Sequence, residues 1–248
     1  MGKNVSVLPF PFKGGVKMYG VSKDYLSGSK NPFNIVGVAK HNIEFRKAHP
    51  EYFDPEGLLI FCGEQGSGKT LSAVQYVRKL CEAYPDAILC TNVHISDLPK
   101  ATKVVEYDGL DCIKNLENGY AGVIYLIDEI HLEFNSLESK NIDIEIMVEV
   151  AQQRKQRKHI VGTTQVYGRL AKPFREQIRN VVLCHNFFRV FQWNRLIDGS
   201  KSTEIDGKLV TETSMSFFWL HSPKLYDSYD THAKMKRYRN EWKGRAIR

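Results

Sequence analysis

Apolar residues run through this chain in short solid blocks, separated by stretches where they recur at helical spacing. Leu58-Leu59-Ile60-Phe61-Cys62 is a block of the first kind and predicts a strand. Ala73, Val74, Val77 and Leu80 follow at helical spacing. A second block, Ala87-Ile88-Leu89-Cys90-Thr91-Asn92-Val93, comes after the breaker Pro85-Asp86. A third, Val123-Ile124-Tyr125-Leu126-Ile127, ends abruptly in Asp128-Glu129. His159-Ile160-Val161-Gly162-Thr163-Thr164-Gln165 reads as a fourth strand with a polar tip, and Val181-Val182-Leu183-Cys184 as a fifth. Between them, 96–122 is looser, with a short helical stretch over 110–116. Residues 141–158 place Ile142, Ile146, Val150 and Ala151 on one side of a helix with a basic last turn.

This alternation up to about residue 185 predicts an α/β fold: a mainly parallel sheet with helices on both faces. Ligands of such sheets sit at the carboxyl ends of the strands. The texture changes over 186–221, where aromatic strands are punctuated by Asp198-Gly199 and Asp206-Gly207, predicting a small β-meander appended to the sheet. The flanks differ again. Residues 1–32 read as an extended arm with one short strand near 16–21, 33–50 as a helix, and 230–248 as a basic helical tail. The expected divisions are an arm and helix over 1–50, a core over 51–185, and a meander and tail over 186–248.

Composition adds little until the chemistry is considered. The 248 residues are 42% hydrophobic and 25% charged, enough for a real core, and the net charge of +7 suits an anionic partner such as nucleic acid. Five cysteines without a C-x-x-C pair argue for a reducing, cytosolic compartment and against zinc. No run of eighteen apolar residues offers a membrane-spanning helix.

The chemistry starts immediately after the first strand. Gly63-Glu64-Gln65-Gly66-Ser67-Gly68-Lys69-Thr70, followed by Leu71 at the helix start, has the spacing G-x-x-x-x-G-K-T of a phosphate-binding P-loop. Glycines let backbone amides approach phosphates, and the helix start adds free N–H groups. Lys69 is expected on the β- and γ-phosphates of ATP, and Thr70 on Mg²⁺. Asp128, at the tip of an apolar strand, is expected as the second Mg²⁺ residue, and Glu129 as the base that polarises the attacking water. Gln165 can donate and accept at once, so it is placed at the γ-phosphate. His131, two residues after Glu129, is read as an incidental strand-exit histidine. An arginine from a neighbouring subunit would complete hydrolysis; Arg175 and Arg179 are the candidates, with Arg169 beside them and Arg154 and Arg157 as second choices.

The run 63–77, the Thr91-Asn92-Val93 segment, the Leu126-Ile127-Asp128-Glu129 block, Thr163-Thr164-Gln165 and Arg175-Glu176-Gln177-Ile178-Arg179 together resemble the zonula occludens toxin-type ATPases, the assembly ATPases of filamentous phages. The resemblance covers about 58–185. It implies a P-loop NTPase of the additional-strand type, with the fourth strand between the two strands that carry the P-loop and Asp128. It also implies a subunit ring, Glu129 as catalytic acid/base and Gln165 as γ-phosphate sensor. Relatives of this family drive DNA through pores, phage genome packaging among them. Members commonly carry a membrane-spanning helix after the core; its absence here shifts the expectation from extrusion to DNA translocation or packaging.

The expected function is therefore a Mg-ATP-hydrolysing oligomeric motor, encoded by a phage or mobile element. Its partners would be DNA, other copies of the chain, and capsid or assembly proteins. Its place would be the host cytoplasm or the virion. Arg154, Lys155, Arg157 and Lys158 would contact nucleic-acid phosphates. Two alternatives stand beside it: a nucleotide-switched assembly module without motor activity, and a kinase-type phosphotransferase.

Overall fold

The computed structural model describes residues 33–49, 51–199, 203–205, 208–210 and 213–229. The chain divides into two compact units, Met1–Pro50 and Glu51–Arg248. In the first, one helix is described, α1 (Phe33–Ala48), where Lys40 and Glu44 pair one turn apart at 3.8 Å. The short strand expected near 16–21 and the tail expected over 230–248 lie outside the described residues.

The second unit is built on an eight-stranded sheet of order β10-β7-β6-β1-β5-β4-β2-β3. Its central strand β1 (Leu58–Cys62) is buried along its whole length because both faces are covered. Leu58, Ile60 and Cys62 point into one core cluster, and Leu59 and Phe61 into the other. Helix α2 (Lys69–Ala83) covers the second face with Leu71, Ala73, Val74, Val77 and Cys81. The opposite face is covered by α4 (Ile144–Gln152), through Ile146 and Val150, and by Phe174 of the short α5 (Lys172–Arg175). Each such aliphatic side chain contributes roughly 1.5–3 kcal/mol on burial.

Strands β2 (Ile88–Thr91), β4 (Val123–Ile127), β5 (Lys158–Thr164) and β6 (Ile178–Phe187) all run parallel to β1. Strand β5 lies between β1 and β4, as the additional-strand fold requires. The sheet has one strand the apolar pattern did not announce, β3 (Val104–Glu106), a short partly exposed edge beside β2, ahead of helix α3 (Asp111–Asn115).

One expectation needs correction. The helix over 141–158 is shorter: Asp143 caps its start by accepting from the Glu145 N–H at 2.9 Å. It ends at Gln152, because the chain turns through Arg157 at φ 56° and enters β5 at Lys158. The aromatic strands do continue the sheet, as an appended meander should, and are longer than a small one suggests. β7 (Phe191–Asp198) pairs antiparallel with β6, and β10 (Thr213–Leu220) with β7, so both extend the main sheet. Only β8 (Thr203–Ile205) and β9 (Lys208–Val210), flanking Asp206-Gly207, form a pair of their own. The first hairpin turn is Phe188-Arg189, both left-handed at φ 56° and 57° with no glycine to mark them. A last turn of helix, α6 (Pro223–Tyr226), packs Leu225 near α2, and Tyr229 bridges to Ile95.

Candidate nucleotide site

The carboxyl ends of β1, β4 and β5 meet at one edge, and the expected residues follow from that convergence. After Cys62 the chain enters the loop, with Gly66 at φ 82° and Gly68 at φ 79°, angles that favour glycine. Helix α2 then begins without a side-chain cap, leaving its first N–H groups for an anion. The Ser67 hydroxyl is buried without a hydrogen-bond partner, and the space at Gly66 is open. Glu64 and Gln65 are exposed on the loop and, with Gly63, Gly66 and Ser67, line a cleft of about 660 Å³.

At the end of the loop, Asp128 and Glu129 leave the tip of β4 and meet Thr70 and Lys69. The Thr70 hydroxyl donates to Asp128 Oδ1 at 2.9 Å, and the Thr163 hydroxyl donates to the same oxygen. Asn92 fixes the backbone of Asp128 from both sides, accepting from its N–H at 2.8 Å and donating to its carbonyl at 3.1 Å. Burial pushes the Asp128 carboxyl above the usual carboxylate range and the Glu129 charge adds to this; the two threonine hydroxyls and Lys69 act against it. The Asp128 carboxylate and the Thr70 hydroxyl supply the hard oxygen donors Mg²⁺ prefers. No cluster of three or more His, Cys, Asp or Glu exists among the described residues. Magnesium needs none, being held by one or two carboxylates together with phosphates and water. The residues present therefore fit both ATP and Mg²⁺.

Glu129 is held in the left-handed region at φ 52°, at a cost of about 1–2 kcal/mol for a residue with a Cβ. Its N–H donates to the Thr163 hydroxyl at 2.9 Å, which secures that backbone. The side chain then points at the loop. Oε1 lies 3.5 Å from the Lys69 ammonium and accepts from Gln165 Nε2 at 3.4 Å. Oε2 lies 3.2 Å from His131 Nδ1, yet it is buried with no formed hydrogen bond. Burial holds the His131 pKa below its ordinary value, Arg169 and Lys69 add to this, and Glu129 opposes them.

Lys69, Thr70, Asp128, Glu129 and Gln165 are thus brought together. Arg169 acts on His131 beside them, and the other candidates lie elsewhere. Arg175 stacks over the Tyr167 ring, 5.8 Å from its centroid. Arg179 sits at the opposite edge of the sheet, donating to the Glu56 carbonyl at 3.1 Å, and its side chain and that of Arg154 both approach Gly57. Arg154 and Lys155 are exposed in the turn before β5. Arg157 donates to the Phe53 carbonyl at 2.6 Å and lies over the Tyr52 and Tyr120 rings. Lys158 corrects the expectation that it faces nucleic acid: it is fully buried, donating to the Ile113 carbonyl at 2.8 Å and to Glu149 at 3.2 Å. A lysine that closes a basic run reads as exposed, but the strand pleat turns this one inward.

The sequence reading missed the second support of the loop. Gln192 and Asn194 on β7 are buried against it. Gln192 Nε2 donates to the Ser67 carbonyl and to Asn194 Oδ1, each at 2.9 Å, and Asn194 Nδ2 donates to the Ser72 hydroxyl at 3.1 Å. Gln192 Oε1 meets His221 Nε2 at 3.1 Å. The available signal was two amides alternating with Phe191 and Trp193, which the pattern alone assigns to either face.

The family model for zonular occludens toxin (Zot) matches residues 57–232. Solved structures are similar as well. The N-terminal domain of zonular occludens toxin from Neisseria meningitidis shares 18% identity at a TM-score of 0.49, over 70% of this chain and 98% of that one. The genome packaging NTPase B204 of Sulfolobus turreted icosahedral virus 2, in complex with ATP-gammaS, shares 16% at 0.43, over 54% and 76%. No curated protein matches. The family match runs from the start of β1 past α6, through the loop, the Asp128-Glu129 tip and the β7 support, and so this chain belongs to the zonular occludens toxin (Zot) family.

Proposed function

We propose that this chain hydrolyses ATP with Mg²⁺, works as a homo-oligomeric ring, and moves or packages DNA during phage or mobile-element morphogenesis. One observation carries the reading. Glu129 Oε2 is a buried carboxylate oxygen with no hydrogen bond formed, on a side chain already aimed at the P-loop lysine. His131 Nδ1 stands 3.2 Å away without a formed hydrogen bond, so the oxygen keeps its capacity to accept a proton from water.

The division of labour follows from the geometry. The loop N–H groups and Lys69 bind and orient phosphate oxygens. Thr70 and Asp128 would hold Mg²⁺, which when bound neutralises phosphate charge. Glu129 takes the proton of the attacking water, and Gln165, hydrogen-bonded to it, orients that water. His131 limits where the carboxylate can swing. Arg175 or Arg179, away from their own loop, are proposed to serve a neighbouring copy. Arg154 and Lys155 are proposed to meet DNA phosphates. We further propose 1–50, 51–185 and 186–248 as arm, motor core and accessory segment, acting in the host cytoplasm. No helix among the described residues is long and apolar enough to cross a membrane.

Phosphate release by the full chain, with and without DNA, tests this. Glu129→Gln is expected to slow hydrolysis by about 10²–10⁴-fold while ATP still binds. Unchanged turnover in that variant removes Glu129 from the role. A phosphorylated metabolite in place of free phosphate would make the chain a phosphotransferase.

A further inference from the structure

The face of β6, β7 and β10 turned away from Gln192 and Asn194 carries rings where a sheet face in water carries polar groups. Phe187, Phe191, Trp193 and Phe218, with Phe188 at the hairpin tip, line an open hollow of about 500 Å³. Phe188 is 95% exposed and Phe218 59%. The rings form a cross-strand ladder. Trp193 and Phe218 lie 5.8 Å apart with planes within 9°, Phe191 and Phe218 5.4 Å apart within 20°, and Phe187 and Trp193 6.5 Å apart within 26°.

Two arginines stand among the rings, Arg189 and Arg195, and neither 185–195 nor 213–220 carries an Asp or Glu. The Arg195 guanidinium lies over the Trp193 ring at 5.4 Å, and Arg189 occupies the hairpin tip beside Phe188. The Glu64 carboxylate on the phosphate loop acts on His185, which lines the cleft next to the ladder. A wholly apolar partner would leave these guanidinium groups without counter-charge. A single strand of nucleic acid uses both: phosphates for the arginines, base faces for the rings.

The tip is anchored rather than loose. The Arg189 carbonyl accepts from Tyr226 OH at 3.0 Å and lies 3.1 Å from His221 Nδ1. The same His221 meets Gln192, which holds the Ser67 carbonyl. Phe187 lines both the hollow and the cleft beside the phosphate loop, so the two surfaces are continuous.

We propose that this ladder, with the tip Phe188-Arg189, is a stacking surface for single-stranded DNA. The proposal rests on the reading that the chain works on DNA. It assigns the contact to the carboxyl edge of the sheet, away from the basic turn before β5.

The test measures binding of fluorescein-labelled oligo(dT) to the full chain by anisotropy across a salt series. Phe188→Ala and Phe218→Ala are each expected to weaken binding about 5-fold or more. Arg189→Ala is expected to lower the salt slope by about one. Phe188 is almost wholly solvent-exposed, so its variant keeps the fold, and Phe218→Ala gives an independent reading. Oligo(dT) affinity unchanged in both ring variants overturns the proposal. So does a change in oligomeric mass with oligonucleotide binding intact, which would make the face a contact between copies. Phosphate release is measured on the same proteins. Ring-dependent oligo(dT) binding without ATP hydrolysis keeps this surface and overturns the motor reading; hydrolysis with ring-independent binding does the reverse.

Discussion

The two halves of the sheet sort polar and apolar side chains in opposite ways. In the parallel half, β1 and β4 are apolar and buried throughout, and β5 carries its polar groups at the ends: Lys158 and His159 at one, Thr163 and Thr164 at the other. In the antiparallel extension, β7 hides amides and shows rings: Gln192 and Asn194 are almost fully buried, while Phe191 and Trp193 take the other face. The difference lies in what each half packs against. β1, β4 and β5 meet apolar helix faces. β7 meets a phosphate loop and the start of α2, where a turn of backbone leaves carbonyls to be satisfied. An amide that donates to Ser67 is the filler such a neighbour requires.

The seam between the halves is the most sensitive place to test this contrast. A Cβ on Gly68 would lie 2.2 Å from Gln192 Oε1, and Gly68 sits at φ 79°. Gly68→Ala therefore meets both a clash and a backbone penalty of about 1–2 kcal/mol. We expect affinity for a fluorescent ATP analogue to fall by about 100-fold or more, since overpacking and strain add. Adding Gln192→Ala to Gly68→Ala removes the clash and leaves the backbone term, so part of the affinity returns. Normal binding by the single variant would show that the two halves do not press on each other.

The parallel half answers to acid. His159 is buried beside Tyr76, its Nε2 3.0 Å from the phenol oxygen, and burial lowers its pKa to about 4. A base depressed in the folded state contributes stability that is full above its unfolded pKa of 6.5 and is lost as pH falls toward 4. A shift of that size is worth on the order of 3 kcal/mol. Urea unfolding at pH 7 and pH 4.5 is expected to show that loss, and His159→Gln to shrink the difference between the two. An equal acid loss in the variant would move the cause elsewhere.

Both halves were legible to different depths. The apolar blocks of β1, β2, β4 and β5 are unambiguous because a strand covered on both faces needs no alternation. Asp128-Glu129 stand out because charge follows five apolar residues directly. The joint action of Thr163, which serves Asp128 and Glu129 together, was not legible, since a threonine in a strand is also a β-former. In the extension the strands could be foreseen but the facing could not. Alternating Phe-Gln-Trp-Asn fits either side, and ordinary burial preference picks the wrong one. The hairpin turn was hidden because Phe188 and Arg189 adopt angles usually marked by Gly or Asn.

Cutting a buried polar contact in each half gives a matched pair of smaller effects. Gln192→Leu leaves the Ser67 carbonyl without its donor, and Lys158→Met does the same to the Ile113 carbonyl. Each is expected to cost about 1–3 kcal/mol in chemical denaturation. They part on function. Gln192→Leu loosens the phosphate loop and weakens ATP-analogue binding by about 10-fold, whereas Lys158→Met, at the far end of β5, leaves that affinity unchanged. Equal effects on nucleotide affinity would mean that the loop draws on the whole sheet and not on β7.

The smallest effect is expected at the exposed basic turn. Arg154 and Lys155 touch solvent at the edge opposite the phosphate loop. Replacing both with alanine should change stability by less than about 0.5 kcal/mol. If they meet DNA phosphates, the double variant loses affinity alike for every sequence tested, and its salt slope falls by about one for each cation removed. The ladder variants differ in kind: Phe188→Ala weakens oligo(dT) binding without lowering the salt slope, because a ring releases no counterions. Running both sets on duplex and single-stranded probes separates an electrostatic edge from a stacking edge. A double variant that leaves the salt slope unchanged on every probe assigns Arg154 and Lys155 to solvent alone, and the nucleic-acid interface then falls wholly to the carboxyl edge.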